Sequence, residues 1–187
     1  LNKRKPIYMP FPQATPLSAV IDPQSCLKLM KGKCAQKCVE ACERAAINFE
    51  QKTEVVEVDV GAIILATGYK LFDAKRIPEY GYGRYNNVIS SIEFERILSA
   101  SGPFSGHVVR PSDHKSPGSI AWIQCVGSRD CDRDYCSSVC CMYATKEAMI
   151  AKEHLSTDLK CDIFFMDLRA FGKGFDEYYE RAKASGI

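Results

Sequence analysis

The 187-residue chain is 26% charged and 46% apolar, with a formal net charge of +2, a globular balance that excludes disordered and collagen-like chains. Near-neutrality argues against a nucleic-acid partner, because affinity for a phosphate backbone comes from clustered positive charge. The longest apolar run, around Ala62–Ala66, falls far short of the ~18 residues of a membrane span, and no secretory leader opens the chain. Ten cysteines remain as the informative excess, and they are bunched.

In chain order, the start at Leu1 without an initiator Met suggests a segment of something larger. Prolines 6, 10, 12, 16 and 23 make residues 1–23 extended or looped, with a short strand at Ile7–Met9. A cysteine-rich stretch follows over 26–42. Thr53–Val60 (TEVVEVDV) then alternates like a strand, and AIILATG after Gly61 reads as a strand buried on both faces. Residues 69–90 read as an ordered loop, with Tyr80, Tyr82 and Tyr85 as loop packing. Ser91–Ser99 is a short amphipathic helix capped by Ser91. A Gly/Pro/Ser-rich connector over 100–118 marks a possible boundary. Beyond it come a strand at Ser119–Cys125, a helix at Ser138–Leu155, a strand at Cys161–Met166 and a helix at Phe175–Ala184. That succession is the pattern of a parallel βαβ unit, here expected as a truncated doubly wound α/β domain.

Cys26, Cys34, Cys38 and Cys42 are spaced C-x7-C-x3-C-x3-C. If 34–42 is helical, the last three share a face, and Cys26 from the preceding loop can close a tetrahedral sulfur cage. All-sulfur cages suit iron–sulfur clusters or zinc. The tail CVEACERAAINFE looks like the last half-motif of a bacterial ferredoxin, without its C-x2-C and with Glu43 at the usual proline position. A 4Fe–4S cluster, a structural zinc knuckle and disulfides are the open readings.

The second set lies in IQCVGSRDCDRDYCSSVCCMYATKEA. A dinucleotide-binding unit would carry G-x-G-x-x-G at this strand-to-helix turn; only Gly127 stands there, and the phosphate site is lost. The same place can house a metal–sulfur cluster, because Cys136, Cys140 and Cys141 flank the start of the next helix. Its dipole and free amides should lower thiol pKa, aided by Arg129 and Arg133. Cys131, in the acidic part of the loop, is left out of the ligand set, and Cys161 reads as a small core residue. A vicinal disulfide or buried free thiols are the alternatives.

The stretches PIYMPFPQATP, GAIILATGY, EYGYGRYNNVISSIEFERIL, IQCVGSRD, YCSSVCCMYATKEAMIAKEH and MDLRAFGKGFDEYYERA together resemble the heterodisulfide reductase flavoprotein, the A component of that complex. They also resemble the flavin component of the quinone-interacting membrane-bound oxidoreductase complex. The resemblance covers nearly the whole chain and is most specific in CVGSRD…YCSSVCC. It implies a partial thioredoxin-reductase-like fold of two dinucleotide-binding domains, with a small ferredoxin-like cysteine-rich insertion. On that reading residues 1–23 lead in from the FAD domain and 24–50 form the insertion. Residues 51–100 hold the last FAD-domain strands, and 119–187 form a truncated nicotinamide-domain-like βαβα.

The resemblance further implies an oxidoreductase carrying FAD and two 4Fe–4S clusters in this span. Cys26, Cys34, Cys38 and Cys42 would hold the first cluster; Cys125, Cys136, Cys140 and Cys141 would hold the second. Ala66, Thr67 and Gly68 would approach FAD through their backbone, and no residue is assigned to catalysis. The implied function is electron transfer between FAD and clusters in flavin-based electron bifurcation, in methanogenesis or sulfate reduction. Implied partners are other heterodisulfide-reductase-like subunits and ferredoxin or hydrogenase-type donors. A cytoplasmic location is expected, with membrane association only through partner subunits. The contrasting reading is a zinc-stabilised, non-redox scaffold. His107, His114 and His154 form no ligand pattern, and Gly172 and Gly174 in AFGKGFDEYYER read as a strand-to-helix turn rather than a phosphate loop.

Overall fold

The computed structural model of the chain describes residues 4–156 and 158–187. It divides after Gly68 into two compact units, each described by itself.

In the first unit, β1 (Ile7–Tyr8) pairs antiparallel with β2 (Val20–Ile21), Ile7 opposite Ile21 and Tyr8 opposite Val20. The Arg4 guanidinium lies 3.7 Å over the Tyr8 ring and pairs with Asp22 at 2.8 Å. Two short helices follow, α1 (Leu27–Lys31) and α2 (Lys37–Glu40). The helix expected over 34–42 is therefore reduced to one turn. Gln36 enters the left-handed region at φ 51 just before it, and no residue of α2 is buried. A single turn without packing does not recover the cost of helix nucleation. The strands expected at Thr53–Val60 and in AIILATG are also not formed; residues 51–68 contain no strand. Their apolar residues stand in solvent, with Ile64 92% exposed. The alternation is present in the sequence, but a strand exists only against a neighbour that completes its backbone hydrogen bonds.

The second unit, from Tyr69, opens with two 3-10 turns, Ala74–Arg76 and Pro78–Tyr80. Tyr82 donates to Glu93 at 3.2 Å, in keeping with a packing role for the tyrosine loop. Helix α3 (Ser91–Leu98) is capped by Ser90, one residue earlier than expected. The Ser90 hydroxyl accepts from the Glu93 N–H at 3.4 Å, and the Ser90 N–H donates to the Glu93 carboxylate at 2.7 Å. This reciprocal box satisfies two of the orphan donors at the helix start.

The connector over 100–118 lies inside this unit and contributes Val108 to its core. Strand β3 (Ser119–Ile123) leads through α4 (Cys140–His154) to β4 (Lys160–Phe164). The strands run parallel, Ser119 beside Lys160 through Ile123 beside Phe164, so the expected βαβ unit is formed. Helix α5 (Phe175–Ala184) has the expected bounds. It follows Gly174, whose φ of 77 suits the turn.

One core holds these elements together. Ala144, Ala148 and Ala151 step along α4 at intervals of four and three residues and are all buried, which lets the helix lie close to the strands. Phe94, Ile97 and Leu98 of α3 pack against the same core, with Phe94 edge-on to Trp122 at 5.7 Å. Cys161 is buried in this core, as the reading of a small packing residue requires. The fold class is thus mixed α/β. Among the described residues, no helix is long and apolar enough to cross a membrane.

Candidate metal centre

The parallel strands end together at Ile123 and Phe164, and the loop from β3 turns toward the start of α4. Cys125, expected to end the strand, lies two residues beyond it in the left-handed region at φ 59. Gly127 at φ 73 and Arg129 at φ 59 repeat that conformation, which side chains other than glycine adopt at a cost of roughly 1–3 kcal/mol. Gly127 is needed for a second reason, since a Cβ there would stand 2.3 Å from the Phe72 ring.

Ser138, at φ 56, makes the final turn before α4. Its N–H donates to the Cys136 sulfur at 3.3 Å. That bond holds the Cys136 thiol below its usual range, against burial, with help from the Ser138 side chain and from Arg169 and Arg129. Cys140 and Cys141 are the first two residues of α4, where backbone N–H groups lack intrahelical partners. The expectation of lowered thiol pKa fails at Cys140. Burial pushes that thiol up, and the charges of Cys141, Cys125 and Cys136 push the same way, while the Cys125 backbone N–H opposes them. The repulsion has a structural meaning: Cys125, Cys136 and Cys141 all lie within electrostatic reach of Cys140.

The flanking charges differ in part from expectation. Arg129 pairs with Asp167, and that carboxylate is the largest cause of its raised pKa, with Cys125 adding in the same direction. Arg133 pairs with Asp130 at 2.7 Å and lies over the Phe72 ring. Arg169, not singled out by the sequence, acts on Cys136 and pairs with Asp167 at 3.4 Å. Cys141 reaches the Asp167 carbonyl at 3.9 Å. Asp167 and Arg169 follow β4, beside the carboxyl end of the strand adjoining β3, the position where ligands of open α/β sheets gather. Their run, MDLR, is plain in the sequence but carries no cysteine to mark it.

All ten cysteines are free thiols. Cys131 is exposed in the loop, and Cys161 sits 4.0 Å from the Ala148 carbonyl. The first set is more dispersed. Cys26 is buried just before α1, and Cys38 lies in α2. Cys34 accepts from the Gln36 N–H at 3.5 Å, and Cys42 accepts from the Ala46 N–H at 3.4 Å. Among the described residues, no three cysteine, histidine or carboxylate side chains meet closely enough to hold a metal ion. The second set shares one neighbourhood without meeting at a point. Its chemistry, four thiols with guanidinium and amide donors around them, fits a thiolate-ligated iron–sulfur group. Ala66, Thr67 and Gly68 are exposed, with Gly68 at φ 75 and open space where its Cβ would be.

Known proteins match the chain across these elements. An iron–sulfur component of CoB–CoM heterodisulfide reductase from Methanopyrus kandleri, the second of its A type, is 54% identical over 98% of the chain. The chain is homologous to the A component of heterodisulfide reductase. The corresponding component of the H2:CoB–CoM heterodisulfide,ferredoxin reductase of Methanothermobacter thermautotrophicus is 48% identical over 98% of the chain. That of the ferredoxin:CoB–CoM heterodisulfide reductase of Methanosarcina mazei is 43% identical over the full chain. The chain spans only 27% of the length of the first two relatives and 23% of the third. No protein-family model matches it. The homology to heterodisulfide reductase covers both cysteine sets and the loop between β3 and α4.

Proposed function

We propose that this chain is an electron-transfer segment of a heterodisulfide-reductase-A-like iron–sulfur flavoprotein, an oxidoreductase working in flavin-based electron bifurcation. The observation that carries the reading is the placement of four thiols in one strand-to-helix loop: Cys125 just past β3, Cys136 before the final turn, and Cys140 and Cys141 opening α4. The relatives' names include ferredoxin and iron–sulfur, and the same chemistry is proposed for this chain. Bound 4Fe–4S clusters would supply one-electron carriers, and FAD in the whole protein would supply the exchange between electron pairs and single electrons.

The chain's own residues hold and tune these groups. Cys125, Cys136, Cys140 and Cys141 bind the second cluster, and Cys26, Cys34, Cys38 and Cys42 bind the first. Arg129, Arg169 and the free amides of α4 offset the negative charge that four thiolates bring. Ala66, Thr67 and Gly68 approach FAD with backbone groups, within a thioredoxin-reductase-like arrangement whose ferredoxin-like insertion spans 24–50. The partners are other heterodisulfide-reductase subunits, with a ferredoxin or hydrogenase-type donor.

Anaerobic reconstitution with iron and sulfide tests the reading. Two 4Fe–4S clusters are expected per chain, with absorbance near 400 nm and a paramagnetic signal on reduction. Cys140→Ala and Cys38→Ala should each remove one cluster and leave the other. A colourless chain that binds zinc instead, with no signal on reduction, would replace this function with the non-redox scaffold.

A further inference from the structure

Phe72 has no part in the ligand sets, yet it is built into the second one. Its ring lies against Gly127, where an added Cβ would meet three ring carbons at 2.3, 2.4 and 2.5 Å. Gly127 is the buried middle of the turn whose outer members are Cys125 and Arg129. Two guanidinium groups flank the ring, Arg133 at 5.0 Å and Arg76 at 5.4 Å from its centroid. Arg133 belongs to the same loop and is held there by Asp130, while its own Nε is buried without a partner among the described residues. One aromatic ring from outside the loop thus holds down two points of it, Gly127 by contact and Arg133 by stacking. The turn so fixed contains two non-glycine residues at positive φ, a conformation that relaxes unless its surroundings enforce it.

We propose that Phe72 is a positioning residue for the second cluster: its ring against Gly127 and Arg133 locks the turn that presents Cys125. The inference rests on the ligand set proposed above. Phe72 acts through the backbone of Gly127 and not through a ligand sulfur. Two consequences follow from the physics. Supports of metal ligands govern how firmly the metal is held, and losing one typically costs roughly 10–100-fold in affinity. A loosened turn also admits water. Reduction adds a negative charge to a cluster that already carries excess thiolate charge, and water favours the more highly charged state. Removal of the ring should therefore raise the cluster's reduction potential.

The test uses the full-length protein carrying this chain, reconstituted anaerobically, with the second cluster's signal identified by its loss in Cys140→Ala. Phe72→Leu fills the space without an aromatic face, and Phe72→Tyr keeps the ring. In Phe72→Leu, iron release from the second site to a chelator should quicken by about tenfold, and the potential in a dithionite titration should rise. The first cluster should be unchanged in both respects. Phe72→Tyr should match the wild type, and Gly127→Ala should reproduce the leucine phenotype by displacing the ring. Wild-type release and potential in Phe72→Leu would overturn the inference while leaving the cluster assignment intact. A wild-type protein without a Cys140-dependent signal would overturn the assignment itself, and this inference with it.

Discussion

The Trp122 indole N–H donates to one carboxyl oxygen of Glu147 at 2.9 Å, and the other oxygen of that carboxyl is buried with no partner among the described residues. Glu147 is 3% exposed, and burial raises its pKa from 4.5 to about 8, with the Glu95 charge adding and the Trp122 bond opposing. The side chain is therefore a neutral acid at neutral pH.

A pH dependence of stability follows. The folded state holds this proton up to about pH 8 and the unfolded chain releases it near 4.5, so the folded state binds more protons between those values. The stabilisation is complete below about 4.5 and is lost as pH rises through about 8, amounting to a few kcal/mol across the window. Glu147→Gln stays neutral throughout and keeps an oxygen for the indole. Denaturant midpoints measured from about pH 5 to 9 should fall more steeply for the wild type than for the variant. Parallel curves would rule out a buried neutral Glu147.

Trp122→Phe takes the remaining partner from Glu147 while keeping an aromatic ring against Phe94. It should destabilise the fold by about 1–3 kcal/mol, the cost of a buried polar group left without a hydrogen bond. In a double-mutant cycle with Glu147→Leu the two losses should not add, because the second change removes the group that the first leaves unpaired. Additive losses would show that the 2.9 Å contact carries no coupling.

What was legible in the sequence divides along the same line as local and non-local physics. Helix α5 matched residue for residue and α3 nearly so, since Asp176, Glu177 and the apolar spacing of Ile92, Phe94, Ile97 and Leu98 are local signals, although the cap is Ser90 and not Ser91. Strands β3 and β4 were legible because each is a short apolar run beside a crossover helix. TEVVEVDV and AIILATG carry equally clear strand patterns and form none, because alternation specifies a face and not the neighbour that must cover it. The candidate site behaves likewise. The resemblance marks Cys125, Cys136, Cys140 and Cys141, while the acidic loop around Cys131 and the strand that Cys161 begins set those two aside. Phe72, Asp167 and Arg169 come from other parts of the chain, and only the folded arrangement brings them to the loop.

Ala148 offers a packing test. It is fully buried in the core that α4 shares with the strands, and Cys161 of β4 lies against its backbone carbonyl. Ala148→Leu should cost about 1–3 kcal/mol by overpacking, whereas the same change at exposed Lys146 should be near neutral. Thermal unfolding of both variants checks the difference, and equal midpoints would contradict the close approach of α4 to the sheet.

The last prediction concerns α3, which brings Phe94, Ile97 and Leu98 to that core through only eight residues. A helix this short is marginal by itself, so its cap should matter more than in a long one. Ser90→Ala removes the acceptor for the Glu93 N–H and leaves one box bond, from the Ser90 backbone to the Glu93 carboxylate. The expected loss is about 1 kcal/mol, while Ser91→Ala should cost little because Ser91 is already inside the helix, where alanine is the best helix former. Ser90→Asp restores the acceptor and places a negative charge at the positive end of the helix dipole, but it faces Glu93 and should recover only part of the loss. Urea midpoints in the order wild type, aspartate, alanine would support the box. A Ser91→Ala loss larger than that of Ser90→Ala would return the cap to Ser91.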